Sequence, residues 1–200
     1  MQSTEKQAGG DGRLQRSERS RTAIVQAVYE LVGEGSLEPT AEQVAARAGV
    51  GIRTVFRHFT DMESLFSEMD ARIEAEARPL LEAREEGRPV PGSAVDRARR
   101  LARRRATFFE QIAPYKRAGN LKRARSHFLQ SRHMALVRAL RDDLMCSIPE
   151  LEDAAPDVRD AFELAASFEA WDRLRSEQRL SRSRATAALE CAVSALAEQL

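Results

Sequence analysis

The chain has 200 residues, 32 Lys+Arg, 31 Asp+Glu and only two cysteines, so its formal net charge is +1. Length allows one large domain or two small ones. A hydrophobic fraction of 42% argues against wholesale disorder. Two widely separated cysteines, Cys146 and Cys191, without a CxxC, argue against a disulfide framework and a zinc module. No apolar run approaches the roughly 18 residues of a spanning helix, and the polar start MQSTEKQAGGDG has no signal-peptide core. The expectation is a cytoplasmic protein outside the membrane.

Charge is distributed in blocks. Residues 1–60 carry +1, 61–96 carry −6, 97–141 carry +13 and 142–200 carry −7, and 29 of the 32 basic residues are Arg. The arginines of 97–141 fall all around their helices. That pattern suits a solvated surface paired with the flanking acidic blocks. The competing reading is an anionic effector held by one inward-facing Arg.

Along the chain, residues 1–16 read as a flexible arm bearing Arg13 and Arg16. Helical periodicity begins after Ser17, with Ala23, Ile24, Ala27, Val28 and Leu31 on one stripe, and ends at Gly33 and Gly35. Thr40 and Gln43 have capping-box spacing for a short second helix that ends at Gly49. A third helix spans about Gly51 to His58, with Val55 and Phe59 inward. Thr60 or Asp61, with Glu63, opens a long helix running to about Arg84. The segment GRPVPG at 87–92 is the clearest boundary. Beyond it the periodicity predicts a helix ending near Pro114, one or two more ending at Pro149, one from Pro156 carrying Phe162, Phe168 and Trp171, and a last one capped by Ser181. No strand alternation or 20–50-residue repeat occurs, so the fold class is all-α, with about nine helices.

The stretch TAEQVAARAGVGIRTVFRHF, Thr40 to Phe59, is two short helices across a tight turn at Gly49: a helix-turn-helix that would present its second helix to a DNA major groove. The outward positions are Ile52, Arg53, Thr54 and Arg57. Arg53 can reach guanine bidentately, and Thr54 suits a phosphate or base edge. Thr40, at a helix N-terminus, can meet the DNA backbone. Phe56 is divided between core and contact. His58 beside Arg57 points to a phosphate contact.

With AIVQAVYELVGEG before this motif and TDMESLFSEM after it, residues 17–77 resemble the DNA-binding domain of the tetracycline-repressor (TetR) family of transcriptional regulators. The resemblance implies an operator on double-stranded DNA and a second, helical ligand-binding and dimerisation domain over 78–200. It also implies a homodimer through the two C-terminal helices, FEAWDRLRSEQRLSRSRATAALECAV, and a small-molecule effector of unknown identity. The family commonly has Tyr at Phe56 and Lys at Met62, both phosphate contacts. Their loss shifts the load to the arm arginines, Arg57 and His58. The candidate DNA surface is therefore Thr40, Gly51, Ile52, Arg53, Thr54, Phe56, Arg57 and His58, with the Arg53 base contact inferred from residue type alone.

Phe108, Phe109, Ile112, Phe128, Met134 and Trp171 are core by default and candidates to line an effector pocket. Cys191, among alanines, is expected to be a buried packing thiol. No cofactor, catalytic set or metal site is expected, since the three His and two Cys lack ligand spacing. Two rival readings remain at this stage: a dimeric interaction protein with a degenerate helix-turn-helix, and a small helical enzyme.

Overall fold

The computed structural model describes residues 5–59, 62–81 and 91–200. Among these there are nine α-helices and no strand: α1 (Glu5–Gly33), α2 (Ala41–Ala48), α3 (Ile52–His58), α4 (Met62–Leu81), α5 (Ala94–Lys122), α6 (His127–Ser147), α7 (Pro156–Ala165), α8 (Phe168–Asp172) and α9 (Arg182–Ala197). Short 3-10 turns follow α5 (Arg123–Arg125) and α6 (Pro149–Glu152), and a π-helical turn (Arg173–Glu177) follows α8. The expected cap at Thr60 or Asp61 and most of the GRPVPG boundary, residues 87–90, lie outside the described residues, as do the side chains of Arg13, Met62 and Glu63. No helix among the described residues is long and apolar enough to cross a membrane.

Two compact units form. The first comprises the chain up to Arg72 together with Pro114–Leu129; the second comprises Ile73–Ala113 and Gln130–Leu200. In the first, Ile24, Ala27, Val28 and Val32 of α1 pack with Val44 of α2, Val55 of α3, Phe59, and Leu65 and Met69 of α4. Ile24, Ala27 and Val28 belong to the stripe expected on α1; Val32 adds to it, and Ala23 of that stripe is only half-buried. Tyr115 closes the cluster by stacking on Tyr29, ring centroids 4.6 Å apart.

Three helix boundaries differ from the expectation. First, α1 begins at Glu5, so the arm expected over 1–16 is helical from that residue and Ser17 lies inside the helix. Leu14–Arg19 contains no Pro or Gly to stop the helix, and Ser20 Oγ donates to Arg16 O rather than capping. Second, α5 continues through Pro114 to Lys122. A proline inside a helix forfeits one hydrogen bond and costs about 3 kcal/mol. Here the residues beyond it, Tyr115 and Ala118, pack on the first unit's core and hold the helix together. Third, the single helix expected from Pro156 is two. Ser167 accepts from Ala170 N at 3.1 Å, capping α8 and ending α7 at Ala165.

The second unit has its own core, in which Leu101, Phe109, Phe162, Phe168, Trp171 and Leu189 are almost wholly buried. Phe109 meets Phe168 edge-on at 5.7 Å. Arg105 also lies in this core, 1% exposed. Its guanidinium donates to Ala166 O at 2.6 Å, to Leu140 O and to Asp143 Oδ2 at 3.3 Å. Burial pushes its pKa down, and the Asp143 carboxylate opposes that shift. Arg104 reaches the other Asp143 oxygen and donates to Ser147 Oγ at 3.1 Å.

Other members of the basic block pair with acids in the same way: Arg97 with Glu150, Arg103 with Glu190, Arg141 with Glu163 and Arg132 with Glu74. Partners thus come from both acidic blocks. Arg105, the one buried Arg among the described residues, directs both terminal nitrogens at Asp143 and two carbonyls, which weighs against an anionic effector held there, although its buried Nε has no partner.

Removing one partner of a buried ion pair strands the other. Asp143→Ala is expected to destabilise the second unit by about 3 kcal/mol, measured by urea unfolding. A loss below about 1 kcal/mol would show that the two carbonyls alone satisfy Arg105.

Candidate nucleic-acid interface

The turn between α2 and α3 is built locally. Thr40 Oγ1 accepts from Gln43 N at 3.3 Å while Gln43 Oε1 accepts from Thr40 N at 2.8 Å, the reciprocal capping box expected from spacing. Gly49 takes φ +66°, ψ 31°, a left-handed conformation that lets its N–H and that of Val50 close onto the last carbonyls of α2. The chain then passes extended Gly51 (φ −70°, ψ 145°) into α3.

α3 has only seven residues, so its orientation follows from two buried side chains on one side: Val55, and Phe59 at its end. Successive residues turn by ~100°. Ile52 and Phe56 therefore form one row, and Arg53 and Arg57 a second row beside it. Both rows are exposed; Thr54 and His58 flank them half-buried. Phe56, for which core and contact both stood open, is 58% exposed. It is a surface side chain.

Arg53 and Arg57 have no acidic partner among the described residues. Neighbouring arginines do. Arg47 makes a fork with Glu34 at 2.9 and 2.8 Å and touches Glu30 at 3.3 Å, bracing α2 against α1. Those carboxylates raise the Arg47 pKa, and the Arg47 bonds lower that of Glu34. Arg21 pairs with Glu68 and sits 5.2 Å over the Phe59 ring.

His58 behaves differently from a cationic phosphate anchor. Its Nε2 is buried without a hydrogen-bond partner, and its ring tilts against Phe59. Burial, then the charges of Arg57 and Arg21, hold its pKa below the usual 6.5, so the ring is neutral at pH 7. Thr40, at the start of α2, is exposed, with its backbone N–H and hydroxyl engaged by Gln43 in the capping box.

The six candidate pocket residues do not gather. Phe108, Phe109, Ile112 and Trp171 fill the second unit's core, at most 5% exposed. Phe128 belongs to the first unit, and Met134 is 42% exposed. A shallow groove of about 500 Å³ lies instead between α5 and α9, lined by Arg99, Arg103, Glu190, Cys191 and Ser194 among others. Cys191, expected to be buried, is exposed. On α9 the inward positions are Ala185, Leu189 and Val193, and Cys191 falls on the opposite side. The sequence shows alanines around Cys191 but not which side of α9 meets the core.

Residues 24–69 match the sequence model of bacterial regulatory proteins of the tetR family. No curated protein matches the chain by sequence. Among solved structures, a transcriptional regulator from Rhodococcus sp. RHA1 is 17% identical, with TM-score 0.59, over 91% of this chain and 96% of that one. A tetR-family transcriptional regulator from Streptomyces coelicolor is 18% identical, with TM-score 0.63, over 90% of this chain and 80% of that one. A TetR transcriptional regulator, also from Rhodococcus sp. RHA1, is 17% identical, with TM-score 0.51, over 93% of this chain and 99% of that one. At these identities the likeness is one of fold.

A histidine whose folded pKa is depressed binds its proton more readily in the unfolded chain. Its stabilising contribution is present above about pH 6.5 and lost as pH falls from there through the lowered folded value. Urea midpoints at pH 7.5 and 5.5 should therefore fall further for the wild type than for His58→Gln. Equal falls would mean that the ring carries no pH-dependent stability.

Proposed function

We propose that this chain, whose residues 24–69 match the model of the tetR family of bacterial regulatory proteins, is a member of that family and a ligand-responsive repressor that reads a palindromic operator as a homodimer. The matched domain and the shared fold support a DNA-binding transcriptional regulator. The repressor role, the effector, the dimer and the cytoplasmic location are the further steps of this reading. The observation that carries the DNA contact is the exposed double row on α3, with Arg53 and Arg57 paired to no carboxylate among the described residues.

Arg53, in the first turn of α3, suits bidentate contact with guanine O6 and N7, and Arg57 one turn on suits phosphate. Thr40, Gly51 and Thr54 complete the surface: Thr40 caps and fixes the start of α2, Gly51 offers backbone at the start of α3, and Thr54 a hydroxyl. His58, neutral and turned inward, positions the end of α3 in this reading and is not a charged contact. Two copies would set paired α3 helices about 34–36 Å apart, one turn of duplex, or a multiple of it.

The second unit supplies the regulatory half. Residues 78–200 would bind the effector and join two copies through the C-terminal helices. Supporting the latter, Ala187, Cys191 and Ala195 are exposed at spacings of four on α9, a small-residue line that lets another helix approach closely. An effector that binds better to a state unfit for the operator lowers DNA affinity by that differential.

Two sets of variants test the reading. Arg53→Ala should cost on the order of 1–3 kcal/mol and relax specificity, whereas Arg57→Ala should weaken all sequences alike and reduce the salt slope by about 1. If neither changes binding, α3 is not the reading element. Ala195→Arg should shift the protein from dimer to monomer in sedimentation; a dimer that persists would place the interface elsewhere.

A further inference from the structure

The exposed face of α3 carries more than cations. Ile52 is 37% and Phe56 58% exposed, although the helix already fills its core positions with Val55 and Phe59. An i,i+4 pair stands one above the other on a helix surface. Ile52 and Phe56 thus make a continuous apolar row, ~6 Å long at 1.5 Å rise per residue. That length is about two base steps of duplex. Beside it, one residue around the helix, run Arg53 and Arg57, which pair with no carboxylate among the described residues.

A row of this kind needs an occupant that is apolar where Ile52 and Phe56 stand and electronegative where the arginines stand. The floor of a major groove has both. The C5-methyl of thymine is its apolar group, and the guanine O6/N7 pair and flanking phosphates are its acceptors. A protein partner would have to bring carboxylates for two arginines at a fixed distance from its apolar patch.

We infer that Ile52 and Phe56 read thymine methyl groups, so that each operator half-site carries one or two thymines next to the guanine met by Arg53. The inference rests on the DNA-binding reading above and adds which base groups the apolar row selects. The methyl distinguishes thymine from the other three bases at the groove floor. Phe56 is therefore a specificity residue, a role its exposed ring can fill by van der Waals contact alone.

The test begins with the full-length protein and duplexes selected from a random pool. Each thymine of the selected sequence is then replaced singly by 2′-deoxyuridine, which removes the methyl and leaves base pairing intact. Affinity is measured by fluorescence anisotropy at fixed salt. For the wild type, one or two positions per half-site should weaken by about fourfold, the factor expected for one methyl-sized group buried from water. In Phe56→Ala or Ile52→Ala the thymine and uracil duplexes should bind alike at the corresponding position, while Arg53→Ala keeps the difference.

The inference is overturned if the wild type binds every uracil duplex within about twofold of the parent. It is equally overturned if both apolar variants keep the methyl sensitivity. Because the wild-type scan is decisive alone, a variant that failed to fold would not shield the inference. Recovery of no preferred sequence would instead sink the DNA-binding reading and this inference together.

Discussion

A helix of seven residues has about two turns, and Val55 within it and Phe59 just after it hold α3 to the rest of the first unit's core. Everything α3 presents outward follows from that pair. With Val55 and Phe59 inward, periodicity leaves Ile52, Arg53, Phe56 and Arg57 outward. The turn at Gly49 fixes where the helix begins, because its left-handed conformation folds the chain back at the end of α2. The capping box of Thr40 and the Arg47 fork onto α1 then make α2 a rigid base for that turn. Charge follows the same logic. Arg47 and Arg21 are committed to carboxylates and aromatic packing, while Arg53 and Arg57 remain available to a polyanion.

The second unit solves a different problem. Arg105 sits in a core of Phe, Trp and Leu, where an unpaired cation would be prohibitively costly. Asp143 neutralises it and two backbone carbonyls accept from its terminal nitrogens, so one guanidinium ties α5 to α6 and to the end of α7, while its buried Nε has no partner. Such a pair specifies geometry more than it adds stability. Around it the basic block of α5 and α6 meets acids from α4, α7, α9 and the turn after α6. The opposing blocks of sequence charge are in large part an internal pairing pattern of these helices. The near-zero net charge of the chain therefore says little about DNA, since the cations that pair internally are not the ones α3 exposes.

Much of the first unit could be read directly. The α1 stripe, the capping box at Thr40, the positive φ at Gly49, and Val55 and Phe59 as core all depend on contacts or dihedrals within a few residues. What escaped reading depends on distant chain. Pro114 reads as a stop, and only the packing of Tyr115 on Tyr29 shows why the helix continues. Phe56 and Cys191 carry apolar or small side chains suited to either side of a helix. Which side meets the core is set by neighbours far away in sequence. His58 looks like a partner of Arg57 for phosphate, yet its buried Nε2 reflects packing against Phe59.

Sequence alone determined the all-helical class, the turn that orients α3 and the likeness of residues 24–69 to the tetR-family model, because capping, glycine dihedrals and helical periodicity are short-range. Tertiary structure alone decided that Arg105 is internal, that Phe56 is surface and that the six aromatic and apolar pocket candidates do not share one site. Burial is a property of what packs around a residue. In a chain of amphipathic helices with few β-branched or proline signals, that packing is fixed by contacts tens of residues apart.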